Sequence, residues 1–256
     1  VVVVAYKEPL EVLHRTFESI ANQKGLGRRP IAVFAAESRD DSRHRSADEI
    51  LQAYGDQFDR LLVTEHKLVE NESAGKSSNE NFALRELRRV LDGEGIDPFE
   101  VMITIVDADS ILSSTYLAHV EDQFYRMPDG RRIIFNGPLN TYRNFADAGL
   151  LVQFCEMKRC HVNTFYDPFE PIYPLSNYSL TLGFASEIDY WTPDNMPEDI
   201  HTSTKAALLK FSSYTTVPIP AVICNDLVPT VRDRYTQAKR HQWGITECTY
   251  IMGAIA

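Results

Sequence analysis

The chain has few cysteines, few tryptophans, few cations and no long apolar run. Its 256 residues include 4 cysteines and 2 tryptophans. Cys155, Cys160, Cys224 and Cys248 contain no Cys-x-x-Cys pair. That spacing supports neither a disulfide framework nor a zinc site, and it reads as a reducing compartment. No apolar stretch approaches the ~18–20 residues that a membrane-spanning helix needs. Lysine and arginine number 26 against 36 aspartates and glutamates, a net charge of −10. This balance excludes a general nucleic-acid binder. An acidic protein that takes an anionic ligand needs a local cation, often a metal. No Gly-x-Ser-x-Gly elbow occurs, so a hydrolase triad has no support. Internal repeats and low-complexity tracts are also lacking.

What is present suits one sizeable globular domain spanning 1–256. Val1–Ala5, Ile31–Ala36, Leu61–Thr64 and Val101–Val106 are short apolar runs of strand type. Helical spacings separate them: Leu10, Leu13, Phe17 and Ile20; then Ile50, Tyr54 and Phe58; then Leu84, Leu87 and Leu91. Strands alternating with helices predict an α/β fold, a mostly parallel central sheet with helices on both faces. Ile133–Phe135 predicts a further strand. Leu150, Phe154 and Met157 predict a long helix, Glu198–Phe211 another, and Val217–Cys224 a final strand. Tyr166–Pro197 is rich in Pro, Tyr and Ser and reads as loop-dominated, ligand-facing structure.

Ligands of an open parallel sheet bind beyond the carboxyl ends of its strands. Those ends carry Tyr6-Lys7-Glu8, Glu37-Ser38-Arg39-Asp40-Asp41 and Asp107-Ala108-Asp109. An Asp-x-Asp triplet is unremarkable in a chain with 18 aspartates. Its place at a strand end is informative, because two carboxylates there can share one hard divalent cation that bridges to phosphate. Gly75-Lys76-Ser77 lacks the earlier glycine of a phosphate loop, since position 70 is Glu. Lys76 remains able to meet a phosphate as a point charge. Glu198-Asp199 follows Pro197 at a predicted helix start, where acidic residues also serve as plain dipole partners. Gln237, Arg240 and Trp243 share one helical face.

Taken in order, these pieces resemble a family-2 glycosyltransferase with the type-A nucleotide-sugar fold. Ala5-Tyr6-Lys7-Glu8 is similar to that family's first-strand signature. Gly75-Lys76 with Asn81-Phe82-Ala83-Leu84 is similar to its Gly-Lys…Asn-x-Ala-Leu segment. Asp107 and Asp109 match its metal-binding pair, and Glu198-Asp199 its Glu-Asp motif with the catalytic base. Gln237, Arg240 and Trp243 resemble its Gln-x-x-Arg-Trp element, with His241 and Gln242 inserted. An Arg-His-x-Trp-Gly ending resembles that of a membrane-associated subgroup.

The resemblance implies an inverting transfer from a nucleoside-diphosphate sugar, a UDP-sugar, to a polysaccharide or lipid-linked acceptor, assisted by Mg2+ or Mn2+. It implies a donor half at 1–110 and an acceptor half at 111–256. Ala5, Tyr6, Glu8, Glu37, Lys76, Asp107, Gln237, Arg240 and Trp243 would then bind donor. Asp107 and Asp109 would hold the metal, and Asp199, with Glu198, would be catalytic. The alternatives are a sugar-phosphate nucleotidyltransferase, which usually has a glycine-rich first loop, and a non-catalytic nucleotide-sugar-binding domain. Both ends read as cuts in a longer chain. The uncharged run Tyr250–Ala256 reads as the start of an interfacial or spanning segment. The expected location is at a membrane, with the domain facing the cytoplasm.

Overall fold

A computed structural model describes residues 1–137, 139–164, 174, 176–210, 215–239 and 242. Three parallel strands, β1 (Val2–Ala5), β2 (Ile31–Glu37) and β3 (Arg60–His66), alternate with helices α1 (Leu10–Ala21) and α2 (Arg43–Tyr54). Helix α3 (Lys76–Asp92) then leads to β4 (Met102–Asp107), which returns beside β1. After β5 (Ile111–Leu112) and α4 (Tyr116–Arg126) come β6 (Ile134–Asn136), β7 (Leu139–Tyr142) and α5 (Leu150–Thr164). The chain continues with β8 (Tyr178–Thr181), α6 (Leu182–Glu187), α7 (Glu198–Lys210), β9 (Thr216–Pro218) and β10 (Val222–Asn225). The main sheet has 7 strands in the order β3-β2-β1-β4-β8-β6-β9. Only β8 runs antiparallel to its neighbours, β4 and β6.

Alternate side chains of a strand point to opposite faces. Val3, Phe34 and Val106 therefore join one core, with Phe17 of α1 and Ile50 of α2. Val2, Val33 and Ile105 join the other, with Leu84 and Leu87 of α3 and with Trp191. Continuous apolar runs are required because both faces are covered. The ring of Phe17 meets those of Phe34 and Phe58 with centroids 5.9 and 6.3 Å apart. Each such fully buried side chain contributes ~1.5–3 kcal/mol of transfer free energy.

Strand order places the site. The chain winds outward through β1, β2 and β3, then reverses to lay β4 on the far side of β1. The crevice at that reversal, above the carboxyl ends of β1 and β4, is where open α/β sheets bind ligands. Next to it lies a 3-stranded sheet, β5-β10-β7.

Four sequence expectations are corrected. Val217–Cys224 is two strands in two sheets, because Pro220 lies between them and breaks the run. Phe58 lies beyond the end of α2, after a short 3-10 turn at Gly55–Gln57. Within Tyr166–Pro197, Tyr178–Thr181 is a wholly buried central strand rather than loop, followed by α6; 165–173 and 175 lie outside the described residues. Helix α5 forms as predicted but turns the other way. Val152 and Glu156 are buried, while Leu150, Phe154 and Met157 are each more than half exposed.

Candidate active site

Chain reversal at the end of β1 starts the site. Lys7 adopts a positive φ of 65°, an uncommon conformation for a side-chain-bearing residue. Its backbone amide donates to Asp40 Oδ2 at 2.8 Å, which ties the β1 turn to the loop after β2. Against burial, that bond and those from the Ser42 hydroxyl and amide hold the Asp40 carboxyl below its ordinary value. Glu8 folds back to accept from the Tyr6 amide. Burial raises Glu8, and the nearby charges of Asp40 and Asp107 add to the rise. The Arg39 guanidinium lies 4.8 Å over the Tyr6 ring, a cation–π contact. Arg39 also pairs with Glu37, whose side chain is buried.

The end of β4 supplies the acidic pair. The Asp107 amide donates to Asn177 Oδ1 at 2.8 Å, and Asn177 Nδ2 donates to Ser110 Oγ at 3.0 Å. Ser110 Oγ in turn donates to Asn225 Oδ1 at 2.7 Å, joining this turn to β10. Asp109 is pushed up to about 6, first by burial, then by the charges of Asp107, Asp226 and Glu8. Four carboxylates thus gather here, of which Asp226 pairs with Arg143 and Asp107 with Lys76.

Lys76, the first residue of α3, is the cation that partly balances the adjoining cluster. Its Nζ lies 2.8 Å from Asp107 Oδ1, 2.8 Å from Glu198 Oε1 and 3.6 Å from Glu80 Oε1. It also donates to the Ser176 carbonyl at 2.7 Å. Burial acts to lower Lys76, but Asp107, Glu198 and Glu80 outweigh it and hold the ammonium well above the ordinary lysine value. Burial raises Glu198 to about 7, opposed by Lys76 and reinforced by Asp199. Asp199 Oδ1 accepts from the Ile200 amide at 2.8 Å, and its Oδ2 from the Ser176 amide at 3.4 Å. Both acidic motifs therefore converge on Lys76, and Ser176 joins Lys76 to Asp199.

Oxygen donors in this arrangement suit a hard divalent cation. No group of three His, Cys, Asp or Glu side chains among the described residues gathers closely enough to enclose one. Mg2+ commonly takes one or two carboxylates and fills its remaining positions with phosphate oxygens and water. The pair Asp107 and Asp109, with Asp109 raised by its neighbours, fits that pattern.

Ala5, Tyr6, Glu8, Asp107, Asp109, Lys76, Glu198 and Asp199 come together in and around the crevice. Glu37 ends β2 against Arg39, one strand away. Gln237 sits in the helical stretch 231–239 and accepts from Arg234 at 2.8 Å. Arg240 and Trp243 lie outside the described residues, as does Tyr250–Ala256. Sequence reasoning missed Glu80, Asn177 and Asp226. Asp226 follows β10 immediately, a strand-end position that could have flagged it. Asn177 lay inside the segment marked as ligand-facing.

A type-A glycosyltransferase fold is defined by this sheet order and crevice, and the comparisons with known proteins agree. Residues 1–131 match the model of the glycosyltransferase like family 2, and residues 102–254 that of the glycosyl transferase family group 2. The chain belongs to the family-2 glycosyltransferases. No curated protein matches it. A mannosyltransferase from Pyrobaculum calidifontis, solved with GDP-Man and Mn2+, superposes with TM-score 0.52 at 15% identity, over 88% of this chain and 55% of that one. GalNAc-T7, solved with UDP, GalNAc and Mn2+, gives 0.53 at 11% identity, over 88% and 43%. S. aureus TarS with UDP gives 0.52 at 13% identity, over 90% and 59%. At such identities the likeness is one of fold. The chain spans between 43% and 59% of the length of these three.

Proposed function

We propose that this domain transfers a sugar from a nucleoside-diphosphate sugar, a UDP-sugar, to a hydroxyl of a polysaccharide or lipid-linked acceptor, with inversion at the anomeric carbon. One observation carries the reading: Lys76 Nζ sits 2.8 Å from both Asp107 and Glu198, uniting the acidic pair and the Glu-Asp motif in one crevice. Residues 1–110 bind the donor in this reading, and 111–256 meet the acceptor. Asp107 and Asp109 would hold Mg2+ or Mn2+, which would supply Lewis-acid neutralisation of diphosphate charge. Lys76 adds a fixed positive charge beside the phosphates, where charge develops in the transition state. Ala5, Tyr6 and Glu8 line the nucleotide side, and Glu37 with Arg39 borders the nucleoside. Gln237, Arg240 and Trp243 belong to the donor-binding set in this reading, with Arg240 meeting the diphosphate and Trp243 a sugar ring.

Asp199 takes the proton of the acceptor hydroxyl as that oxygen attacks the anomeric carbon. Inversion is a single in-line displacement, so one base suffices. Glu198 stays on Lys76 and holds the base-bearing turn in register. The test is a panel of nucleotide sugars assayed with Mn2+ for transfer or hydrolysis. Activity with a UDP-sugar supports the reading; inactivity with every donor contradicts it.

The same reading places the full-length protein at a membrane, with this domain on the cytoplasmic side. No helix among the described residues is long and apolar enough to cross a membrane. Support comes from α5, whose Leu150, Leu151, Phe154 and Met157 present an exposed apolar stripe of a kind that suits an interfacial contact. Recovery of the full-length protein wholly in the detergent-free soluble fraction would contradict this placement.

A further inference from the structure

The segment between α6 and α7 joins the two helices that carry Lys76 and Asp199. Its Thr192 carbonyl accepts from the Ser77 hydroxyl of α3 at 2.7 Å. The next two carbonyls are taken up just before α3: Pro193 O accepts from the Ser73 amide at 2.9 Å, and Asp194 O from the Ser73 hydroxyl at 2.9 Å. On its other side the Thr192 hydroxyl meets His201 Nε2 of α7 at 2.8 Å and accepts from Lys205 Nζ at 3.3 Å. Lys205 also donates to the Tyr190 carbonyl at 2.7 Å.

That segment begins in an uncommon conformation. Asp189 and Tyr190 have positive φ of 55° and 49°, which residues with large side chains rarely adopt and keep only where their surroundings hold them. The holding groups are in place. The Tyr190 amide donates to Ala185 O at 2.7 Å, and Arg85 pairs with Asp189 at 2.8 Å while lying 4.7 Å over the Tyr190 ring. The indole of buried Trp191 donates to Tyr178 at 2.7 Å. Burial lowers Lys205 below the ordinary lysine value, yet its ammonium is directed at this turn. A turn with this many fixed points is a strut rather than a slack connection.

At the start of α7, Glu198 meets Lys76 and Asp199 accepts from the Ser176 amide. Both contacts lie at one end of the helix, about which its axis can still swing. His201 and Lys205 stand one turn apart on one face, so their contacts with Thr192 fix the axis as well. We propose that Thr192 is a positioning residue for Asp199: through its hydroxyl on α7 and its carbonyl on α3, it holds the base at a set distance from the donor's phosphates. The inference rests on the roles proposed above for Asp199 and Lys76, and adds the part that keeps them in one frame. The acceptor hydroxyl must lose its proton while in line with the anomeric carbon. A base displaced by ~1 Å therefore costs up to ~10²-fold in rate with the donor contacts intact.

The test is steady-state turnover of the nucleotide sugar that the native protein uses, together with UDP affinity by calorimetry, at a temperature where every variant is folded. Thr192→Val keeps the shape and the carbonyl but removes the hydroxyl; Thr192→Ser keeps the hydroxyl. Lys205→Met removes one of the two contacts from α7, keeps the apolar stem, and covers a folding failure of the valine variant. Thr192→Val is expected to lower kcat ~10–100-fold, with donor KM and UDP affinity within ~2-fold of native. Lys205→Met should lower kcat in the same direction, and Thr192→Ser should restore most of the native rate. A native kcat in both Thr192→Val and Lys205→Met overturns the proposal. An equal loss in the serine and valine variants overturns it too, because the effect would then be one of packing. So does a loss carried by donor KM and UDP affinity, which would put Thr192 in donor binding. A native protein that turns over no nucleotide sugar overturns the proposed function and the inference together, whereas native turnover with unchanged variants overturns the inference alone.

Discussion

The Asp107 backbone amide donates to Asn177 Oδ1 at 2.8 Å, so the acidic turn after β4 is held by the residue that enters β8. Asn177 is buried and also donates to Ser110, which fixes both ends of the turn carrying Asp109. Asn177→Ala leaves that amide and hydroxyl short of a partner. It should lower unfolding free energy by ~1–3 kcal/mol in urea titration and raise the KM for the donor more than it lowers kcat.

Asp109→Ala should separate metal binding from stability. The Asp109 carboxyl, pushed up to about 6 by burial and by Asp107, Asp226 and Glu8, is repelled in the fold. Its removal is expected to leave the thermal midpoint at pH 8 unchanged or higher while abolishing Mn2+-dependent UDP binding in calorimetry. Unchanged UDP affinity would contradict the metal assignment.

Asp199→Asn keeps an oxygen for the Ile200 amide, now 2.8 Å from Oδ1, but cannot accept a proton. Transfer should slow by ~10²–10⁴-fold with donor affinity near normal. A native rate would mean that another group is the base.

Glu198 makes stability depend on pH in a stated direction. Its folded value is about 7 against an ordinary 4.5. The folded state thus binds the proton more tightly, and the stabilisation this gives below pH 4.5 is lost as pH rises through about 7. Glu198→Gln removes the dependence. The stability difference between variant and native protein, from denaturant titrations, should therefore shift in favour of the variant between pH 4.5 and 7 and then level off. A pH-independent difference would contradict the assignment.

The first half of the scaffold was legible because β1, β2 and β4 are buried on both faces and so had to be continuous apolar runs. The acidic pair and Glu-Asp were legible through their position and order. Strand β8 was not, because it buries Ser179 and Thr181 as well as apolar residues. The Ser179 hydroxyl pairs with Thr104 at 2.8 Å, and the Thr181 hydroxyl donates to Arg131 O at 2.6 Å. Polarity satisfied inside the sheet leaves no apolar alternation to detect. Glu80 was missed for a related reason, since a carboxylate in a helical pattern reads as a solvated face. On α5, buried Glu156 accepts from Tyr142 at 2.8 Å and pairs with Arg234 at 2.9 Å. A charged residue therefore faces inward there, and the apolar stripe at Leu150, Phe154 and Met157 faces out.

The central claim is that one crevice binds a nucleotide sugar through Asp107 and Asp109 and activates an acceptor through Asp199. Its most direct test is Mn2+-dependent turnover of a nucleotide-sugar panel by native protein, Asp109→Ala and Asp199→Asn, with UDP affinity measured on each. The account predicts turnover of a UDP-sugar by the native protein alone, with UDP binding kept in Asp199→Asn and lost in Asp109→Ala. Turnover by both variants at the native rate would contradict it.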